Sequence, residues 1–187
     1  MNRLFLIIAL CMTYSHPYRA QEANLEYNFG SKGCGDCGWF VVVDCVMGGL
    51  SSGLINVNDS GIVMRGAISL ENNGGFASLR TPFDTLDLSQ YKELVIRYAS
   101  SGQDFSFTLN NYRRFWQPRF KATLPVTEGE WKTETVTFES FAQYRFDEQI
   151  GGAPSQTALQ KILRLGLISS DKVASEYMMQ IDFIRFQ

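Results

Sequence analysis

The stretch Asp44-Cys45-Val46-Met47-Gly48-Gly49-Leu50-Ser51 places a pair of glycines directly after a run of strand-forming residues. A second glycine pair occurs in Asn72-Asn73-Gly74-Gly75, between the apolar segments 62–70 and 76–81. Paired glycines beside alternating apolar residues are typical of tight strand connections, because glycine adopts positive φ without steric cost. Both stretches therefore predict corners in a β framework.

Apolar and polar residues alternate on both sides of the second corner, which predicts strands. Ile62, Met64 and Ile68 would share one face of a strand, and Arg65 and Ser69 the other. We expect this strand to form a hairpin with the segment 76–81, turning at the second glycine pair. Other strands are predicted over residues 25–29 (an edge strand), 39–43 (buried on both faces), 94–99, 105–110, 132–138, 164–169 and 177–186.

One short helix is predicted, with Ser155 as its N-cap and with Leu159, Ile162 and Leu163 at helical spacing. Many short strands, glycine-marked turns and a single short helix are typical of an antiparallel β-sandwich. The sequence therefore predicts an all-β fold in one domain.

The first residues predict a secretory leader, since Arg3 is followed by an apolar run over residues 4–12 and then by small and polar residues. The apolar run is too short to cross a bilayer as a helix. Cleavage is predicted after Ser15 or Ala20. Residues 21–187 would then form a single periplasmic or secreted domain with no membrane span.

The charge and the histidine content exclude several classes of function. The chain has 17 Lys and Arg against 19 Asp and Glu, and its only basic cluster is formed by Arg113, Arg114 and Arg119. A nucleic-acid-binding surface would need a larger basic patch. The only histidine, His16, lies at the leader boundary, so triads and zinc sites that use histidine are excluded.

Carboxylate-based catalysis also lacks a signal in the sequence. Glu128 and Glu130 share a turn, but they flank Gly129 in a solvated loop rather than face each other across a cleft. The sequence therefore predicts a protein that is not an enzyme.

Three cysteines remain after removal of the leader: Cys34, Cys37 and Cys45. An odd number in an oxidising compartment implies one disulfide and one free thiol, or an intermolecular bridge. A structural disulfide is the favoured interpretation. Zinc binding by the three thiolates and thiol redox chemistry are the alternatives.

The first corner is a candidate contact site. The carboxylate of Asp44 is expected to accept hydrogen bonds from the amides of Met47, Gly48 and Gly49 and so to fix the turn. The functional alternative is that Asp44, Met47 and the Gly48-Gly49 backbone contact a ligand or a partner.

A second candidate surface follows the strand 105–110. Tyr112, Arg114 and Trp116, together with the amide of Asn110, could stack on a sugar ring or dock on a protein. The alternative is that Phe115 and Trp116 begin the next strand and are buried.

Both glycine stretches resemble motifs of the complex I intermediate-associated protein 30 family. The resemblance extends to Trp39, to Trp131 with Phe138 and Phe141, and to the closing segment 181–184. It implies a jelly-roll, galactose-binding-like β-sandwich. It also implies assembly or chaperone-like work, in which the domain holds a membrane complex under construction through protein contacts.

The resemblance raises a further question about Asp182, which lies in an otherwise apolar strand. Galactose-binding-like sandwiches often hold a structural calcium near the last strand, and Glu26 or Asp36 could complete such a site with Asp182. The favoured alternative is an ion pair with Arg80 or Arg97, because no dense acidic loop is present.

The sequence thus predicts a non-enzymatic binding or assembly-factor domain that acts by protein contacts in the cell envelope. The alternative is a secreted carbohydrate-binding module that uses Asn110, Tyr112 and Trp116.

Overall fold

The computed structural model describes residues 25–169 and 171–187. The predicted leader and its two cleavage sites lie outside these ranges. Within them, no helix combines the length and the apolar character that a membrane crossing requires.

The first sheet has six antiparallel strands, and β1 pairs with β13 outside the main path of five. In spatial order the path is β3 (Ser52–Asn58), β4 (Gly61–Ala67), β13 (Glu176–Phe186), β6 (Glu93–Ser101) and β9 (Lys132–Thr137), with β1 (Glu26–Asn28) added beside β13.

The second sheet has seven antiparallel strands. In spatial order they are β11 (Glu148–Gly151), β10 (Ala142–Arg145), β8 (Arg119–Leu124), β7 (Phe105–Asn110), β12 (Arg164–Ser169), β5 (Ala77–Arg80) and β2 (Phe40–Val43).

The two sheets pack face to face around one apolar core. Aromatic rings from both sheets meet there: Phe105 lies 5.9 Å from Tyr177, and Phe107 lies 6.5 Å from Phe186. All four side chains are buried. The predicted fold class, an antiparallel jelly-roll β-sandwich, is therefore confirmed.

The predicted helix is present but spans a single turn. It forms α1 (Gln156–Leu159), and the Ser155 hydroxyl accepts a hydrogen bond from the Ala158 amide at 3.2 Å, as expected of an N-cap. Ile162 lies beyond the helix and pairs with Leu86 in an isolated β-bridge.

The predicted hairpin around the second glycine pair is wrong. β4 lies in the six-stranded sheet between β3 and β13, whereas β5 lies in the seven-stranded sheet between β12 and β2. Residues 71–75 therefore cross from one sheet to the other. The hairpin partner of β4 is β3, a strand that was not predicted.

The prediction that strand 39–43 is buried on both faces is also wrong. β2 is the edge strand of its sheet and pairs only with β5. Trp39, just before it, is buried, but Phe40 is 37% exposed. An apolar run of this length does not distinguish a central strand from an edge strand.

Candidate functional site

The first corner is organised around the carboxylate of Asp44. Asp44 begins a 3-10 helix (Asp44–Met47) and is buried. Its oxygens accept hydrogen bonds from the Ser51 amide at 2.9 Å, the Ser51 hydroxyl at 2.5 Å and the Gly75 amide at 2.6 Å. A longer contact of 3.3 Å comes from the Phe76 amide.

These partners correct the sequence-based expectation, which placed the donors on Met47, Gly48 and Gly49. The carboxylate instead joins the first glycine stretch to the second one, 31 residues further along the chain. Asp44 therefore fixes the position of the corner relative to the crossover between the sheets.

The hydrogen bonds also control the ionisation of Asp44. Burial by itself raises the pKa of this carboxyl, but the bonds from Ser51, Gly75 and Phe76 together outweigh burial and hold the pKa below its ordinary value. Asp44 is therefore a stable anion at neutral pH.

Glycine is required beside this carboxylate because no side chain would fit. A Cβ atom on Gly49 would lie 2.4 Å from Asp44 Oδ1, and one on Gly74 would lie 2.6 Å from Asp44 Oδ2. Gly48 is a glycine for a different reason: its φ of 90° belongs to the left-handed region, and no atom lies within 4 Å of a Cβ built there.

The corner forms one wall of a groove of about 410 Å³ on the outer face of the seven-stranded sheet. The groove is lined by the corner (Val42, Asp44, Val46, Met47), by the crossover (Asn73, Gly74, Gly75, Phe76), by the sheet face (Arg80, Arg119, Lys121, Ile168, Ser169) and by loop residues (Phe115, Phe146, Asp147, Lys172).

Strand register explains why cations meet on the groove floor. Arg80 on β5 pairs with Gly166 on β12, which pairs with Thr108 on β7, which in turn pairs with Lys121 on β8. Arg119 lies two residues before Lys121 on the same face. Inward-facing neighbours such as Leu79 and Phe120 are buried, so these cations project outward.

The three floor cations are partly desolvated. Burial, together with the positive charges of Arg119 and Arg164, lowers the pKa of Arg80 to about 10. Burial also lowers the pKa of Arg119 and of Lys121. The negative charge of Asp147 offsets only part of this lowering. Lys121 Nζ lies 4.2 Å from the centroid of the Tyr144 ring.

Aromatic side chains form the opposite wall of the groove. Phe115 and Phe146 are 54% and 52% exposed, and their ring centroids are 6.4 Å apart. Trp116 packs edge-on against Phe115 and is 45% exposed. The alternative that Phe115 and Trp116 begin a strand and are buried is therefore wrong, since β8 begins at Arg119.

The two candidate surfaces predicted from the sequence lie side by side. Asp44 and Met47 line the groove, and Tyr112 and Trp116 line an adjacent depression. Phe146 belongs to both.

The remaining candidates lie around these two surfaces. The guanidinium of Arg114 lies 5.1 Å from the centroid of the Trp116 ring. Asn110 ends β7, where its carbonyl accepts a hydrogen bond from the Leu163 amide at 2.7 Å. Neither Asn110 nor the Gly48-Gly49 pair lines the groove, and whether any of these candidates contacts a ligand stays a prediction.

Sequence reasoning missed the groove floor, namely Arg80, Arg119 and Lys121. A signal was present, because Arg119 and Lys121 are two residues apart in an alternating segment and so share one face of a strand. That Arg80 joins them depends on a sheet order that the sequence does not display.

The predicted disulfide candidates separate into a pair and a single thiol. Cys34 and Cys37 are joined, and Cys45 is an exposed free cysteine on the 3-10 helix. Among residues 25–169 and 171–187, no three His, Cys, Asp or Glu side chains cluster as metal ligands.

Asp182 forms an ion pair with Arg97, whose guanidinium also lies 4.5 Å from the centroid of the Trp131 ring. Glu26, a suggested calcium ligand, instead pairs with Arg185 at 3.0 Å. Of the two arginines suggested as partners of Asp182, Arg97 therefore forms the ion pair, and Arg80 lies in the other sheet.

Two solved structures with a similar fold are family 11 carbohydrate-binding modules. A family 11 carbohydrate-binding module of a cellulosomal cellulase of Clostridium thermocellum aligns with a TM-score of 0.58 at 15% identity, covering 79% of this chain and 86% of its own. A family 11 module from Clostridium thermocellum in complex with a β-1,3-1,4-mixed-linked tetrasaccharide aligns with a TM-score of 0.55 at 16% identity, covering 80% and 88%. The fold is therefore that of this class of β-sandwich.

The family of the chain is identified from its sequence. The model of the family described as complex I intermediate-associated protein 30 (CIA30) matches residues 27–181. The chain belongs to the CIA30 family, as its two glycine stretches predicted. No curated protein matches the chain.

Proposed function

We propose that this protein is a non-enzymatic carbohydrate-binding protein that takes its ligand in the groove of the seven-stranded sheet. The observation that carries the proposal is the groove itself, which places exposed Phe115 and Phe146 opposite polar and charged side chains of the floor. Support for the ligand class comes from the related fold that is known in complex with a tetrasaccharide.

The physical argument concerns the two surfaces that a sugar ring presents. Its C–H face is apolar and stacks on an aromatic ring, whereas its hydroxyls require hydrogen-bond partners. Phe115 and Phe146 offer the first kind of contact, and Arg119 and Lys121 offer donors for the second. A groove across several strands also suits an extended ligand better than a single ring.

Phe115→Ala is expected to weaken saccharide binding by about fivefold, since loss of one aromatic stacking contact costs ~1 kcal/mol. Titration calorimetry against a panel of soluble glycans measures the effect. Leu54→Ala is the matched control, because Leu54 is 74% exposed on β3 in the other sheet. Equal affinities of the wild type and Phe115→Ala for every bound glycan would remove the groove from the binding surface.

A second candidate function is assembly-factor work through protein contacts in the cell envelope, with the protein exported to the periplasm or secreted. Val46, Met47 and Leu50 support it, since they are 69%, 61% and 57% exposed at one corner. Clustered exposed apolar side chains are typical of protein-contact sites. The CIA30 family name adds to this support.

The assembly candidate predicts that a photoreactive residue at position 47 crosslinks to a subunit of a membrane complex in the native envelope. The same probe at position 54, on the other sheet, is the control. Val46→Asp, beside the probe, should abolish the adduct, because a charge would have to be desolvated at the contact. Adducts of equal yield at positions 47 and 54 would contradict a specific contact at this corner.

A further inference from the structure

The groove carries more positive charge than its surroundings can neutralise. Four cations line it, Arg80, Arg119, Lys121 and Lys172, against two acids, in a chain whose formal net charge is −2. The acidic groups are already occupied: Asp44 accepts its hydrogen bonds from the corner and the crossover, and Asp147 pairs with Lys172.

Among the described residues the three floor cations have no close anionic partner, and the charge of Asp147 acts on Arg119 and Lys121 only from beyond ion-pair distance. Within residues 25–169 and 171–187, neither Arg80 nor Arg119 nor Lys121 takes part in an ion pair, although all three are partly buried. Among the residues that the structure describes, the Arg119 guanidinium donates a single hydrogen bond, to the Phe115 carbonyl at 3.1 Å. Desolvated charge without a partner is unfavourable, and a bound anion would relieve it.

The spacing of the cations suits a chain of anionic groups rather than one ion. Arg80 and Lys121 are separated by three strand steps, which corresponds to about 14 Å across the sheet. Gly166 and Thr108 lie between them in the same row. Because these residues are small, few atoms project from the sheet face between the two cations. An extended ligand could thus contact both ends of the row.

The groove favours a saccharide over an acidic peptide. Extended peptides add to sheets through free strand edges, but the floor cations lie on β5 and β8, which pair with a neighbouring strand on both sides. The face offers side chains alone, with cations on the floor and exposed Phe115 and Phe146 on the wall. Such a surface suits a charged sugar, because the aromatic rings can stack on the sugar ring while the guanidinium and ammonium groups pair with its anionic groups.

We propose that the groove recognises an anionic polysaccharide, whose carboxylate or sulfate groups pair with Arg80, Arg119 and Lys121. This inference rests on the proposed carbohydrate-binding function and narrows its ligand to charged chains. The guanidinium groups can hold each anionic group through two parallel hydrogen bonds, and Lys121 supplies a point charge.

The test compares anionic polysaccharides with a neutral one. Binding of the purified protein to polygalacturonate, to alginate, to dextran sulfate and to a neutral mixed-linked glucan is measured by affinity electrophoresis and calorimetry at two salt concentrations. We expect at least one anionic chain to bind roughly tenfold more tightly than the neutral glucan and to weaken with salt. Comparison of the uronate chains (polygalacturonate and alginate) with dextran sulfate shows whether the groove binds carboxylate or sulfate groups.

Lys121→Gln tests the assignment of the groove. It is expected to weaken anionic binding roughly tenfold and neutral binding much less, because Gln removes the charge but keeps a hydrogen-bond donor for sugar hydroxyls. Lys32→Gln is the matched control, because it removes the same charge from an exposed residue of the loop after β1. Equal losses in both variants would indicate general electrostatic attraction and would overturn the proposal.

Three further outcomes separate this inference from the function on which it rests. If the neutral glucan binds through Phe115 and the anionic chains bind no better, carbohydrate binding stands and anion recognition fails. If polyglutamate binds as tightly as the anionic polysaccharides and depends equally on Lys121, the saccharide assignment is wrong. If no glycan of either kind binds, both proposals fail.

Discussion

Asp44→Ala is expected to lower the free energy of unfolding by about 3 kcal/mol, because it leaves buried donors on Ser51 and Gly75 without an acceptor. For a domain of this size such a loss lowers the melting temperature by roughly 6–12 °C. Urea denaturation followed by tryptophan fluorescence measures it.

Asp147→Ala is the control for the loss of a carboxylate. Asp147 also lines the groove, but its pair with Lys172 is 65% and 63% exposed, so its removal should cost less than about 1 kcal/mol. Similar unfolding free energies for the two variants would show that the hydrogen bonds of Asp44 do not hold the corner to the crossover.

The pH dependence of the Asp44 contribution has a defined sign. The folded pKa lies below the ordinary value of 3.8, so the stabilisation is present above that value and is lost as the pH falls through the folded pKa. The difference in stability between the wild type and Asp44→Asn should therefore shrink in acid. A difference that grows below the ordinary pKa would contradict this account.

Gly49→Ala is expected to destabilise the protein by about 3 kcal/mol, because the new Cβ would lie 2.4 Å from the carboxylate of Asp44. Gly48→Ala, its immediate neighbour, should cost about 1 kcal/mol, since it meets no atom and suffers only the strain of positive φ. The two substitutions add the same methyl group to adjacent residues, and chemical denaturation compares them directly.

The double variant Asp44→Ala with Gly49→Ala identifies the cause of the larger effect. With most of the carboxylate side chain gone, the added methyl group has more space, so the two losses should sum to less than their separate values by about 1 kcal/mol or more. Fully additive losses would mean that Gly49→Ala acts somewhere other than at Asp44. Gly48→Ala with Asp44→Ala supplies the additive reference.

Asp44→Ala and Gly49→Ala also bear on function. Asp44 positions Val46 and Met47, which form a wall of the groove and part of the exposed apolar corner. A loosened corner should therefore weaken ligand binding as well as stability. Measurements at a temperature where every variant is folded separate the two effects.

The sequence was sufficient for the fold class, and for a physical reason. Strand alternation is a property of neighbouring residues, so most strands, the N-cap at Ser155 and the family could be predicted from local patterns. The prediction failed where a partner had to be chosen. The segment 76–81 returned to the opposite sheet rather than to β4, because pairing depends on which distant faces bury each other.

The candidate site divides in the same way. The sequence by itself determined the glycine corners at Gly48-Gly49 and Gly74-Gly75 and the absence of histidine beyond position 16. It left open whether the aromatic segment near Trp116 is exposed or buried, and the structure shows Trp116 to be 45% exposed. Only the tertiary structure decided that the carboxylate of Asp44 joins the two corners, since its donors lie up to 32 residues away. It also decided that Arg80 shares a groove floor with Lys121, because residues in one row of a sheet are brought together by strand order rather than by proximity in the chain.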